Sequence, residues 1–239
     1  MKQNNQEKSV KVETGSSFSS QRRHILNKNS SFHVREAYKT LRTNIRFFLH
    51  GEGCKRICIT SGAMGEGKSI TILNLAISFA EDGKKVLLID ADMRRPALAR
   101  LLAERATPGL SNVLAGLATR EVAVRKEIYP NLDLLFSGDT PPNPSELLGS
   151  PEMSAMMDEL AQEYDYILVD TPPVNMVADT CVVANILDGV VYLVRQDKTD
   201  KDSVARGVNQ LKLTGAKLLG FIMNGIDLDA DKRYSSEYR

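Results

Sequence analysis

The sequence predicts an α/β fold in three layers, with a mostly parallel central sheet flanked by helices. Three observations predict it. Short apolar runs without strict polar alternation recur along the chain, as strands buried on both faces require. Helical segments separate these runs, so consecutive strands must be joined by crossovers. The first run, "RICIT", leads into a glycine-rich loop and then the helical "ITILNLAISFA", the order in which a helix N-terminus meets a phosphate. A chain of 239 residues with 42% hydrophobic and 26% charged residues suits one such domain with a buried core.

In chain order, the first ~30 residues are rich in Ser, Asn, Gln and Lys and are expected to form a flexible arm. "HVREAYKTLRTNIRFFLH", His33 to His50, places Val34, Ala37, Leu41, Ile45 and Phe48 three or four apart, which predicts an amphipathic helix ahead of the first core strand. "RICIT" is the first strand, a helix runs from Ser69 to about Asp82, and "KVLLID" follows the turn at Gly83. After a Pro- and Gly-punctuated region come "NLDLLF", a helix near "PEMSAMMDELAQEY", and "DYILVD". "GVVYLVR", a helix through "SVARGVNQLKL", and "KLLGFIMNGI" complete the series. The domain is assigned to residues 31–228, and the polar residues 229–239 to a mobile tail. There is no internal repeat.

Lys plus Arg total 31 against 30 for Asp plus Glu, so a net charge of +1 gives no global attraction to nucleic acid, and none is expected as a partner. Cys54, Cys58 and Cys181 lack metal-site spacing and suit a reducing compartment. No run reaches the ~18 apolar residues that cross a bilayer, and the N-terminus has no signal-peptide core. The chain is expected to stay in the cytoplasm.

"GAMGEGKS", Gly62 to Ser69, fits the phosphate-loop pattern G-x-x-x-x-G-K-[ST]. Gly62, Gly65 and Gly67 let backbone N–H groups turn inward around a phosphate, Lys68 reaches its oxygens, and Ser69 offers a hydroxyl to a magnesium ion. Asp90 and Asp92, in "VLLIDADMRRP", and Asp170, at the end of "DYILVD", fall beyond the carboxyl ends of strands, where ligands sit in open α/β sheets. Singly, strand-end aspartates cap the next helix; three beside a phosphate loop point to a magnesium–nucleotide site. Arg94 and Arg95 are either a solvated loop pair or, for Arg94, a contact to phosphate or to an acidic partner. Asn224, in "FIMNGID", is either a turn residue or an amide placed to read an adenine edge.

The motifs "TSGAMGEGKS", "LLIDADMRRP", "DYILVDTPP" and "PPNPSELLGS", within Glu36 to Ile226, together resemble those of the bacterial tyrosine kinases. This is a P-loop NTPase family, of the deviant-Walker type shared with MinD, that controls capsular and exopolysaccharide assembly. The resemblance implies ATP and Mg2+ as cofactors. Ser69, Asp92 and Asp170 would hold or orient the metal, Asp90 would be the base or orienter for a tyrosine hydroxyl, and Lys68, Asp92 and Arg94 would complete the catalytic set. Glu66, Ile70 and Asn224 would join the glycines, Lys68 and Ser69 around the nucleotide.

The family motif E-x-x-R-x-x-R, which seats one subunit against the next, reads Glu36, Lys39 and Arg42 here. By pattern alone it could also be a solvated charge stripe. Lys39 departs from the family's arginine and gives up bidentate pairing. A homo-oligomeric ring is implied, with autophosphorylation in trans on Tyr234 and Tyr238, the two tyrosines of a tail that the family usually crowds with them. Also implied are a separate membrane-spanning activator, a polysaccharide co-polymerase whose cytosolic tail recruits the kinase to the inner face of the plasma membrane, and a cognate phosphotyrosine phosphatase. The alternatives are a non-kinase ATPase of the MinD/ParA type or a nucleotide-gated scaffold. The first lacks its signature lysine, since Ala63 stands five residues before Lys68.

Overall fold

The computed structural model describes residues 20–226. Its helices are α1 (Phe32–Phe48), α2 (Lys68–Glu81), α3 (Leu98–Leu102), α4 (Leu110–Leu114), α5 (Arg120–Ala123), α6 (Pro144–Leu148), α7 (Pro151–Leu160), α8 (Asp179–Ala184) and α9 (Lys201–Leu213). The strands are β1 (Lys55–Ser61), β2 (Val86–Asp90), β3 (Val124–Tyr129), β4 (Leu132–Leu135), β5 (Tyr166–Asp170), β6 (Gly189–Arg195) and β7 (Leu218–Asn224). They form one sheet in the order β3-β4-β2-β5-β1-β6-β7, in which every pairing is parallel except β3 with β4.

The expected buried strands are present, and the strand period divides their side chains between two cores. Ile57, Ile59, Val86, Leu88, Leu168, Val191 and Leu193 face α2, while Cys58, Leu87, Ile89, Ile167, Val169, Val190 and Tyr192 face the layer of α4, α7, α8 and α9. Residues such as these, with no solvent exposure on either face, explain the unbroken apolar runs. The three cysteines are free thiols, and burial pushes Cys58 up to about 12.

Three expectations need correction. β3 was not expected: Val124–Tyr129 carries Arg, Lys and Glu because it is an edge strand, with charges toward solvent. On α1 the predicted stripe is rotated. Tyr38, Leu41, Ile45 and the following Leu49 pack inward, while Val34, Ala37 and Phe48 are exposed, because the helix carries two overlapping apolar stripes and the neighbouring α2 takes one.

The arm expected over residues 1–30 is packed from residue 20 to residue 31, the part that is described. Leu26 enters the core, and the fully buried side chain of Asn74 on α2 holds the strap by accepting from the Leu26 N–H (2.7 Å) and donating to the His24 carbonyl (2.8 Å). Polar composition predicts flexibility only when nothing buried anchors the chain, and here Leu26 and Asn74 do. The tail assigned to residues 229–239, with Tyr234 and Tyr238, lies outside the described residues.

Candidate active site

β1 lies at the centre of the sheet, between β5 and β6, and delivers the phosphate loop at its carboxyl end. Gly67 precedes α2 at φ 105°, a left-handed conformation that glycine adopts without steric cost. A Cβ there would also stand 2.3 Å from Nδ2 of Asn224. Gly62 is fixed by packing instead, since a Cβ would lie 2.4 Å from Oγ of Ser203 and 2.9 Å from the Tyr192 hydroxyl. Ser69 and Ile70 occupy the first turn of α2, whose amides point into the loop.

Lys68 is buried, which pulls its pKa down, while the charges of Asp170, Asp92 and Glu66 oppose that shift. Register aligns Asp90 with Asp170 on adjacent strands β2 and β5. Asp170 is fully buried, and neither carboxylate oxygen has a hydrogen-bond partner. Burial raises its pKa to about 7, against the pull of the Lys68 charge. Asp92 is also raised, first by burial, while the Arg95 N–H (3.0 Å to Oδ1) and the charge of Lys68 hold it down.

A buried carboxylate with both oxygens unpaired is costly unless a cation completes it. The donor set of Ser69, Asp92 and Asp170 is all oxygen, as Mg2+ requires. Among the described residues no group of three or more His, Cys, Asp or Glu side chains could hold a metal by itself. That also suits an ion which takes one or two carboxylates and completes its shell with phosphate and water. The residues fit the metal.

Asp90 is tied to the backbone. It is fully buried, and its two oxygens accept the N–H groups of Asp92 (3.2 Å) and Leu98 (3.2 Å). Its pKa stands well above the usual carboxylate range, chiefly through burial, with the neighbouring charges of Asp170 and Asp92 adding to it. In this geometry Asp90 shapes the loop that carries Asp92, and each of its oxygens keeps a second lone pair beyond that backbone contact. The loop contact of Arg94 is with an acidic partner. Its Nε and Nη2 clasp the carboxylate of Asp179 at 2.8 and 3.1 Å, Nη2 reaches Ser145 Oγ at 3.3 Å, and the Ser145 hydroxyl donates to Asp179.

Asn224 donates to the Glu66 carbonyl (2.8 Å) and accepts from the Gly225 N–H (2.9 Å), so it is both a turn residue and a contact to the phosphate loop. Glu66 is buried, with its carboxylate accepting from the Ala63 N–H (3.0 Å) and from Thr199. On α1, Glu36 and Lys39 pair with each other at 2.7 Å on the surface. Arg42 is not on that surface: it is engaged within the chain, donating to the Ser78 carbonyl and pairing with Asp82 at 3.2 Å. Sequence reading missed Asp179, Ser145, Thr199 and Asn74. Ser145 lies in the "PPNPSELLGS" motif but was given no role there, the other three lie in no motif, and each acts through a contact made only by folding.

Fold and site together define a nucleotide-dependent phosphoryl-transfer domain of the P-loop class. The family model described as an AAA domain matches residues 54–212. The chain is 43% identical over 199 residues to tyrosine-protein kinase YwqD of Bacillus subtilis (strain 168), covering 83% of this chain and 84% of that protein. It is 35% identical over 205 residues to the putative tyrosine-protein kinase CapB of Staphylococcus aureus, covering 86% and 90%. The crystal structure of the chimerical protein CapA2B2 superposes with a TM-score of 0.78 at 36% identity, covering 82% of this chain and 86% of that one. The chain belongs to the bacterial tyrosine-protein kinases: it is a protein-tyrosine kinase, and its phosphate donor is ATP.

Proposed function

We propose that this kinase transfers the γ-phosphoryl group of ATP–Mg2+ to Tyr234 and Tyr238 of a neighbouring copy, and that the modification regulates assembly of a capsular or exopolysaccharide. The observation that carries the reading is the pair of unpartnered oxygens of buried Asp170, on the strand beside the one that delivers Lys68 and Ser69. Ser69, Asp92 and Asp170 would hold the metal. When bound, Mg2+ neutralises charge that develops on the phosphates. Lys68 binds the β/γ oxygens, and the loop amides with the start of α2 orient the phosphates for in-line attack. Asp90, whose carboxylate oxygens each keep a lone pair beyond their backbone contacts, would accept or orient the tyrosine proton, with Asp92 two residues on beside the metal.

Asn224, near the end of the described residues, rests on the phosphate loop, and the acceptor tyrosines follow it in the sequence by ten and fourteen residues. A ring of copies would bring each tail to the next site, with Glu36 and Lys39 as the exposed part of the interface motif. Among the described residues no helix is long and apolar enough to cross a membrane. In this reading a separate membrane-spanning activator with a cytosolic tail holds the kinase at the inner face of the plasma membrane, and a phosphotyrosine phosphatase resets it. The test is phosphopeptide mapping after incubation with ATP and Mg2+, beside a Tyr234→Phe/Tyr238→Phe variant. Phosphate on the tail supports the reading, and phosphate confined to residues 20–226 refutes the tail assignment.

A further inference from the structure

A phosphate loop that points its N–H groups inward must point carbonyls outward, and buried or half-buried carbonyls need partners. Here one short segment, joined by Asn224, takes the carbonyls of Met64, Gly65 and Glu66. Arg195, at the end of β6, donates from Nη1 to the Gly65 carbonyl at 3.2 Å. Lys198 donates to the same oxygen at 3.0 Å, and Asn224 takes the Glu66 carbonyl at 2.8 Å. The Thr199 hydroxyl accepts the Arg195 N–H at 2.9 Å and donates to the Glu66 carboxylate, whose second oxygen accepts the Ala63 N–H at 3.0 Å. Glu66 is thus a buried relay between Thr199 and the first turn of the loop.

We infer that residues 195–199 are a brace for the phosphate loop, with Thr199 a positioning residue that sets nucleotide affinity through Glu66 and without touching the nucleotide. The inference rests on the phosphate loop being the nucleotide site. Without the Thr199 hydroxyl, a buried carboxylate oxygen loses its side-chain donor, and Glu66 is released from holding Ala63. Without Arg195 the Gly65 carbonyl keeps only Lys198, and the peptide can rotate its N–H away from the phosphate. No motif contains residues 195–199, yet they fix the geometry that the motif requires.

The test is calorimetric titration of the full chain with ADP and Mg2+, with hydrogen exchange at the Ala63 amide read in parallel. Thr199→Val should weaken ADP about ten-fold and speed Ala63 exchange, while Thr199→Ser, which keeps the hydroxyl, should restore both. Arg195→Met should weaken ADP through an independent contact, so a folding failure of the valine variant leaves a second reading. Wild-type affinity in both the valine and methionine variants, or equal losses in Thr199→Val and Thr199→Ser, overturns the brace. Lys68→Met separates the two claims: undiminished ADP binding there means that the phosphate-loop reading itself has failed.

Discussion

Replacing Asn74 by leucine keeps the buried volume on α2 but removes both polar anchors of the strap over residues 20–31. Two responses compete. If the strap stays, the Leu26 N–H and His24 carbonyl are left without their partner, at roughly 1–3 kcal/mol each for groups that stay buried. The Tyr38 hydroxyl, 3.1 Å from Asn74 Nδ2, loses one of its partners too. If the strap lifts, the molecule exposes Leu26, worth about 1.5–3 kcal/mol. It also loses two hydrogen bonds of about 1 kcal/mol each, but the backbone freed around Leu26 rehydrates and regains roughly 1–2 kcal/mol of entropy per residue. Local lifting of one or two residues therefore wins, with a net loss of about 2 kcal/mol and a fall of roughly 4–8 °C in melting temperature. Hydrogen exchange measures it: the Leu26 amide should be protected in the wild type and exchange freely in Asn74→Leu, while the sheet amides of β1 and β5 stay protected. Unchanged protection at Leu26 would refute the anchoring, and a uniform loss across the sheet would refute the choice between the two responses.

Three further outcomes are expected. In metal-free protein Asp170→Asn should raise stability while abolishing phosphotransfer. The folded state raises the Asp170 pKa from 3.8 to about 7, so it binds the proton more tightly than the unfolded chain does. Wild-type stability is therefore lost as pH rises through that window, by at most ~4 kcal/mol and about 1–3 after relaxation. Melting curves should favour the variant at pH 8 and converge below pH 4; a variant less stable at pH 8 contradicts this. Gly67→Ala, at φ 105° and against Asn224, should abolish ADP binding in a titration, and retained binding would show that the loop can relax. Arg94→Lys loses the two-pronged contact to fully buried Asp179, and denaturant unfolding should show a loss of about 1–3 kcal/mol; a loss under ~0.5 kcal/mol would make this a solvated surface pair.

Most of the fold was legible because strands buried on both faces leave a signal that composition cannot imitate: Ile57 to Ile59 and Ile167 to Val169 are apolar at every position. The phosphate loop was legible because it is contiguous, and its glycines answer local backbone demands. β3 was hidden, since a charged edge strand reads as a loop. The strap was hidden for a related reason: one leucine and one asparagine about fifty residues apart outweigh a dozen polar neighbours. Asp90 shows the limit most clearly. Its identity and position matched the motif, but that its two oxygens hold the N–H groups of Asp92 and Leu98, and so shape the loop, is fixed only by the folded backbone.

Tandem mass spectrometry of phosphotyrosine on the full chain, after incubation with ATP and Mg2+ and with Lys68→Met and Asp170→Asn beside it, tests the central claim most directly. The predicted result is phosphate on Tyr234 and Tyr238 in the wild type and none in either variant. ATP turnover without phosphotyrosine, or phosphotyrosine that survives Lys68→Met, would contradict it.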